Sequence, residues 1–282
     1  MTAPDPVFSS RPLRWRAGEP PQPVESLLPE ETPVAMTYGQ ASHAVMMATP
    51  RDLEDFALGF SLTEGIIQHP GQLAGLEVVH RAAGVELRME LAEDRQDALL
   101  RRRRHMAGPV GCGLCGLESL EAALRPLPPL PEDGPEDGLR LPAAAVMQAL
   151  DALAEGQALH RATQAVHAAG FWLPGEGMVA MREDVGRHNA LDKLVGALAA
   201  ARVKAGGMKA GSVKAGRGAV VLTSRVSVEM VQKAAILGAP VLIAVSAPSA
   251  LALRSAEACG MTLIARARGG KFDIYCHARR VI

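Results

Sequence analysis

Residues 219–265 read AVVLTSRVSVEMVQKAAILGAPVLIAVSAPSALALRSAEACGMTLIA, and the fold class follows from this stretch. Ala219–Thr223, Val241–Val245 and Thr262–Ala265 are short apolar runs of buried-strand length. Between them, Ser227–Leu237 and Ser249–Cys259 read as helices. Strand–helix–strand units with short connections predict an α/β layer with a mostly parallel sheet. Ala234–Leu253 carries no charge and is long enough to cross a bilayer. Gly238, Pro240, Ser246, Pro248 and Ser249 interrupt it, so a helix end, a buried strand and a new helix start are expected, and no membrane span.

Working outward, Phe272–Tyr275 supplies a last strand. Phe171–Leu173 and Met178–Arg182 flank the turn Pro174–Gly177. Helices are expected over about Asn189–Ala201, Pro142–Ala154 and Gln157–Ala168. Lys-Ala-Gly recurs at Lys204, Lys209 and Lys214, the mark of a low-complexity insertion over 203–217. Six prolines between Pro126 and Pro142 mark a connection over 126–142. It divides a domain at 143–282 from a smaller, strand-containing subdomain at 32–125. In the latter, Pro33–Tyr38 and His43–Ala48 read as a hairpin. Thr49 is placed to cap a helix with one apolar face, Leu53, Phe56, Ala57 and Phe60, ending near Gly65. Val78–His80 and Val85–Leu91 read as strands. Residues 1–31 are Pro-rich and aperiodic, which predicts an extended or poorly ordered tail.

Lys plus Arg equals Asp plus Glu, 30 each. Overall charge therefore gives no drive toward nucleic acid or an anionic membrane, and any anion site must be local. Met1–Val24 lacks an apolar segment, so no signal peptide is expected. Four cysteines in 282 residues, without a secretory signal, point to a reducing, cytoplasmic setting in which a close pair is catalytic or metal-binding.

That pair is in Gly111-Cys112-Gly113-Leu114-Cys115-Gly116. The glycines match a dinucleotide fingerprint, but no strand leads in; the preceding residues are Arg101–Arg104 and His105. Thiol chemistry fits better. The thiolate is the nucleophile, and nearby cations favour it. Flanking glycines let a second sulfur approach, as a persulfide carrier needs. A structural zinc needs two further ligands, and Cys259 and Cys276 sit far off in a predicted helix and strand end. The zinc-deaminase signature is absent: Gly111 rather than proline precedes Cys112, and no histidine begins H-x-E.

A second constellation, Glu183-Asp-Val-Gly-Arg-His-Asn-Ala-Leu-Asp-Lys193, joins a strand to a helix at the sheet edge where α/β folds bind ligands. There Asp184 and His188 are candidates to orient a ligand or move protons. Thr223–Ser227 repeats the arrangement, with Arg225 and hydroxyls at a helix start suited to phosphate. Arg266, Ala267, Arg268, Gly269, Gly270 and Lys271 form a basic, glycine-rich turn able to cradle a diphosphate. Together they suggest an anionic, nucleotide-type ligand.

In this order, Gly111–Gly116, Glu183–Lys193, Ser224–Lys233 and the Arg-Gly-Gly-Lys turn resemble the FdhD family of formate dehydrogenase accessory sulfurtransferases, as do His43–Met47 and Ala57–Gly65. The resemblance spans about residues 30–282. It implies a cytidine-deaminase-like three-layer α/β/α domain with a mixed sheet and no deaminase zinc, beside the smaller subdomain. It also implies a homodimer. The implied activity is a persulfide relay: Cys112 takes sulfur from a cysteine desulfurase and passes it to the bis-molybdopterin guanine dinucleotide form of the molybdenum cofactor, which then serves formate dehydrogenase. Cys115 matches the family's second cysteine. Arg266–Lys271 matches its cofactor-binding turn, with different side chains, and Arg225 and His188 join it in the expected site. The other reading is a cofactor-binding chaperone without sulfur chemistry.

Overall fold

The computed structural model describes residues 4–96, 126–130, 139–204 and 214–282. Cys112, Cys115 and most of the Lys-Ala-Gly insertion lie outside the described residues.

A six-stranded sheet runs β10(Gly177–Asp184)-β9(His167–Leu173)-β11(Ala219–Leu222)-β12(Val241–Ala244)-β13(Thr262–Arg268)-β14(Lys271–Cys276). Alternation along its strands makes two cores. Val220, Leu222, Leu242, Ala244 and Leu263 face α4(Arg187–Lys204), α5(Val228–Leu237) and α6(Ala250–Cys259). Ala219, Val221, Val241, Ile243 and Ile264 face α2(Ala143–Gly156). The result is a three-layer α/β/α domain. Its sheet is mixed, as the family resemblance implies, and not mostly parallel as the strand–helix alternation alone suggests. Only β11–β12 and β12–β13 are parallel. The tight turns after β9 and β13 return the chain antiparallel, as short connections must.

The smaller sheet has the order β6(Ala41–Ala48)-β5(Thr32–Tyr38)-β8(Gly84–Leu91)-β7(Leu73–Arg81). Its inner face, Val34, Met36, Leu87 and Met89, packs on Phe56, Ala57 and Phe60 of α1(Leu53–Thr63). The opposite side of α1 lies on α4. There the buried Lys233 Nζ joins Asp192 Oδ1 of α4 at 2.8 Å, Glu64 Oε1 at 2.8 Å and Thr63 Oγ1 at 3.0 Å. Burial opposes the Lys233 ammonium, but Asp192 and Glu64 hold its pKa above that of ordinary lysine. Helix α1 thus ties the two layers together.

Three other expectations are corrected. Residues 7–29 are extended, but paired rather than a loose tail: β1(Val7–Ser10) with β4(Ser26–Pro29), and β2(Leu13–Arg16) with β3(Glu19–Pro23), about a turn at Gly18 with φ 80°. Backbone pairing needs no apolar periodicity, so the composition hid it. The helix expected over Gln157–Ala168 is only α3(Ala158–Thr163), ended by Gln164 at φ 57°; Val166 and Ala168 are instead buried beside and in β9. Thr49 does not cap α1. Asp52, at φ 54°, takes that position without a side-chain cap, and Thr49 binds elsewhere. The Ala234–Leu253 stretch ends α5, forms β12 and starts α6; among the described residues no helix is long and apolar enough to cross a membrane.

Candidate functional site

The register sets the site. Asp184 of β10 pairs with His167 of β9, and Leu222 of β11 pairs with Ala169 of β9. Asp184, His167 and the residues after β11 therefore share one edge, the C-terminal edge of the parallel strands. The loops there are stitched together: Val226 N–H donates to Ala247 O at 3.2 Å, Ser249 N–H to Val226 O at 2.9 Å, and Arg266 N–H to Ser246 O at 3.1 Å. The β13–β14 turn ends on the same edge. Hence Arg225, His188 and Arg266–Lys271, far apart in the chain, are brought to one side of the sheet.

Much of the Glu183–Lys193 segment is structural. Glu183 reaches from β10 to accept the Leu159 and His160 N–H groups at 2.8 Å each, capping α3. Asp184 is fully buried and forms a 2.6 Å ion pair with the equally buried Lys193. Its oxygens also accept from Thr49 N (3.0 Å), Gly186 N (2.7 Å) and Asn189 Nδ2 (3.0 Å). Asp184 is thus saturated inside the protein and not presented to a ligand. Burial pushes the Lys193 ammonium down against the pull of Asp184. A Cβ at Gly186 would meet Asn189 Nδ2 at 2.7 Å and displace the amide that binds Asp184.

The two-residue turn Val185–Gly186 leads into α4, whose first two residues, Arg187 and His188, are half-buried basic side chains. His188 Nε2 lies 3.8 Å from Glu229 Oε2 in the first turn of α5, an ion-pair separation longer than a hydrogen bond. His188 first, then Ser227 and the backbone N–H of Glu229, hold the Glu229 carboxyl down at about 2 against burial. Sequence reading missed His167. Burial, then Arg187, His160 and His188, depress its pKa, so these groups make one basic cluster. The expected helix through Ala168 concealed it. Two atoms of the cluster, Arg187 Nε and His188 Nε2, are buried and make no hydrogen bond. The Arg187 Nε–H is a donor of the kind that an anionic ligand's oxygens satisfy, while His188 Nε2 already faces the Glu229 carboxylate.

The second half of the edge is open. Arg225, Arg266, Arg268, Gly269, Gly270 and Lys271 are exposed, and Ala267 turns its side chain into the α2-side core. Gly269 and Gly270 have φ 60° and 76°, values that glycine adopts without strain in a two-residue hairpin turn. Arg266 also lies at positive φ, 53°, beside a bulge, and its Nε is 3.5 Å from Asp273 Oδ2.

Cys259 and Cys276 are the cysteines among the described residues. Cys259 Sγ donates to Ala256 O at 3.6 Å and Cys276 Sγ to Met261 O at 3.2 Å. Burial pushes both thiols up.

The FdhD/NarQ family model matches residues 29–282. The chain is 52% identical to the "Sulfur carrier protein FdhD" of Agrobacterium fabrum, over 92% of this chain and 90% of the relative. It is 54% identical to the protein of the same name from Brucella abortus, over 91% and 90%. It superposes with a TM-score of 0.73 and 23% identity on a crystal structure from Desulfotalea psychrophila, described as that of a candidate formate dehydrogenase accessory protein, covering 99% of this chain and 100% of that one. The last likeness concerns the fold alone.

Proposed function

The chain belongs to the FdhD/NarQ family, and on that premise we propose that it is a sulfur carrier whose carrying group is Cys112. The observation that carries this reading is the state of the other thiols. The chain has four cysteines, and burial raises the pKa of Cys259 and Cys276. Thiols whose pKa desolvation has raised are poor nucleophiles, so the carrier role falls to the Cys112–Cys115 pair among its arginines and glycines.

In this scheme the Cys112 thiolate attacks the outer sulfur of a cysteine desulfurase persulfide. A new S–S bond forms on Cys112 as the desulfurase thiolate leaves. The Cys115 thiolate then attacks Cys112 Sγ, forming a disulfide. The outer sulfur leaves with the bonding electron pair as hydrosulfide, directed to the molybdenum of the bis-molybdopterin guanine dinucleotide substrate. A cellular dithiol returns the pair to the reduced state. The substrate's phosphates are assigned to the basic edge, near Arg266–Lys271 and Arg225, with His188 and Arg187 donating to the anion. Formate dehydrogenase as the enzyme served, a homodimeric state and a cytoplasmic location complete the proposal.

The test is intact-mass analysis after incubation with an active cysteine desulfurase and cysteine. Wild type should gain one sulfur atom, removable by reductant, and Cys112→Ala should gain none. A wild-type protein that stays unmodified would replace this reading with that of a cofactor chaperone.

A further inference from the structure

We infer that Thr49 is a positioning residue through which the N-terminal layer sets the geometry of the basic edge. The inference rests on the reading of that edge as the nucleotide-diphosphate site. Thr49 lies between β6 and α1 and is fully buried, yet its polar groups reach across to the β10–α4 turn. Its N–H donates to Asp184 Oδ2 at 3.0 Å, its Oγ1 accepts the Val185 N–H at 3.1 Å, and its carbonyl accepts Lys193 Nζ at 2.8 Å. One residue of the small layer therefore grips both partners of the Asp184–Lys193 ion pair and the first residue of the turn that leads to Arg187 and His188. Asn189 reinforces the same seam, donating to Met47 O at 2.8 Å and to Asp184 Oδ1 at 3.0 Å.

The hydroxyl is the separable part of this grip. The backbone contacts of Thr49 survive any side-chain change, but only Oγ1 fixes the Val185 N–H. The next residue, Gly186, is held by Asp184. Without the hydroxyl, the entry to the turn carries an unsatisfied, partly buried donor and can shift toward a new acceptor. Arg187 and His188 follow within three residues, and donors that must meet fixed phosphate oxygens tolerate little displacement. Thr49 touches no ligand in this scheme; it acts through Val185.

The test compares wild type with T49V and T49S in the full-length protein. It reads guanosine diphosphate affinity by calorimetry and the His188 ring signals by NMR without ligand. T49V keeps the shape and removes the acceptor; T49S restores it. Affinity should fall about 10-fold in T49V, the effect of one lost hydrogen bond, and return in T49S. The His188 signals should move and return with it. Thr49→Ala, which leaves room for a water at Val185 N–H, carries the same expectation if T49V does not fold, with a smaller loss of about 3-fold. Unchanged affinity and unchanged His188 signals in a folded hydroxyl-free variant would overturn the inference. A wild type that binds no guanosine diphosphate, while the His188 signals still respond to the hydroxyl, would remove the nucleotide reading and leave the positioning role standing.

Discussion

Gly59 and Gly196 let α1 and α4 touch backbone to backbone. A β-carbon on Gly59 would fall 1.7 Å from the Asp192 carbonyl oxygen, and one on Gly196 would fall 1.8 Å from that of Asp55. The obstacle is main chain on both sides, so neither clash can be relieved by turning a side chain. This crossing joins the small layer to the large one, and Asp192 and Asp55 also take part in the polar contacts around it.

Gly196→Ala should therefore force the helices apart. A methyl group inserted into a filled crossing costs about 2–4 kcal/mol, despite alanine's better helix propensity. The urea midpoint of unfolding measures it. A midpoint equal to or above that of wild type would show that the helices do not approach this closely.

Lys193→Met tests the buried ion pair. Asp184 would keep its three N–H donors from Thr49, Gly186 and Asn189 but lose the ammonium paired with it. Uncompensated buried charge costs about 3–5 kcal/mol, and the surviving donors place this case near the lower figure. Equilibrium denaturation is again the measurement; a loss under about 1 kcal/mol would mean that the pair is solvated in the native protein.

The C-terminal architecture was legible because buried strands and helices differ in length and punctuation. Val241–Val245 and Ser249–Cys259 were placed to within a residue at each boundary. The gathering of Arg225, His188 and Arg266–Lys271 at one edge was legible for the same reason, since each follows a strand. Partners across the chain were not. Asp184 looks like a site residue in the sequence, but its cation is nine residues on and its amide donor, Thr49, is 135 residues back. Thr49 has every local mark of a helix cap, and tertiary hydrogen bonds override that preference. The N-terminal ribbons pair through backbone groups, which leave no side-chain period to read. His167 was lost because apolar spacing before a buried strand imitates a longer helix.

Cys259 and Cys276 should be slow to alkylate. Their thiols are held protonated by burial, and the reaction follows the thiolate fraction and access. At neutral pH, iodoacetamide should label them at least about 10-fold more slowly in native protein than in urea, as mapped by peptide mass spectrometry. Cys259→Ser and Cys276→Ser should still load sulfur from the desulfurase. Loss of loading in either would bring that thiol into the proposed relay.

Arg268 and Lys271 flank the glycine turn and are exposed, so their removal should leave stability almost untouched. If the turn receives phosphates, the Arg268→Ala, Lys271→Ala double variant should lower guanosine diphosphate affinity about 10- to 100-fold, the loss of one or two charge-assisted contacts. The loss should shrink as salt rises. Equal affinities for variant and wild type would place the phosphates elsewhere on the edge.

Acid stability should report on the His188–Glu229 contact. The Glu229 carboxyl is depressed from 4.5 to about 2 in the folded protein, with His188 the leading cause. A depressed carboxyl binds fewer protons folded than unfolded, so its stabilisation is complete above about pH 4.5 and is lost as pH falls toward 2. Glu229→Gln removes that titration. Comparing urea midpoints at about pH 5 and pH 3, wild type should lose about 1 kcal/mol more than the variant, a figure reduced for partial exposure of the pair. Parallel losses in the two proteins would show that the 3.8 Å separation carries no charge coupling. His188 would then stand on the basic edge without an acidic partner to orient it.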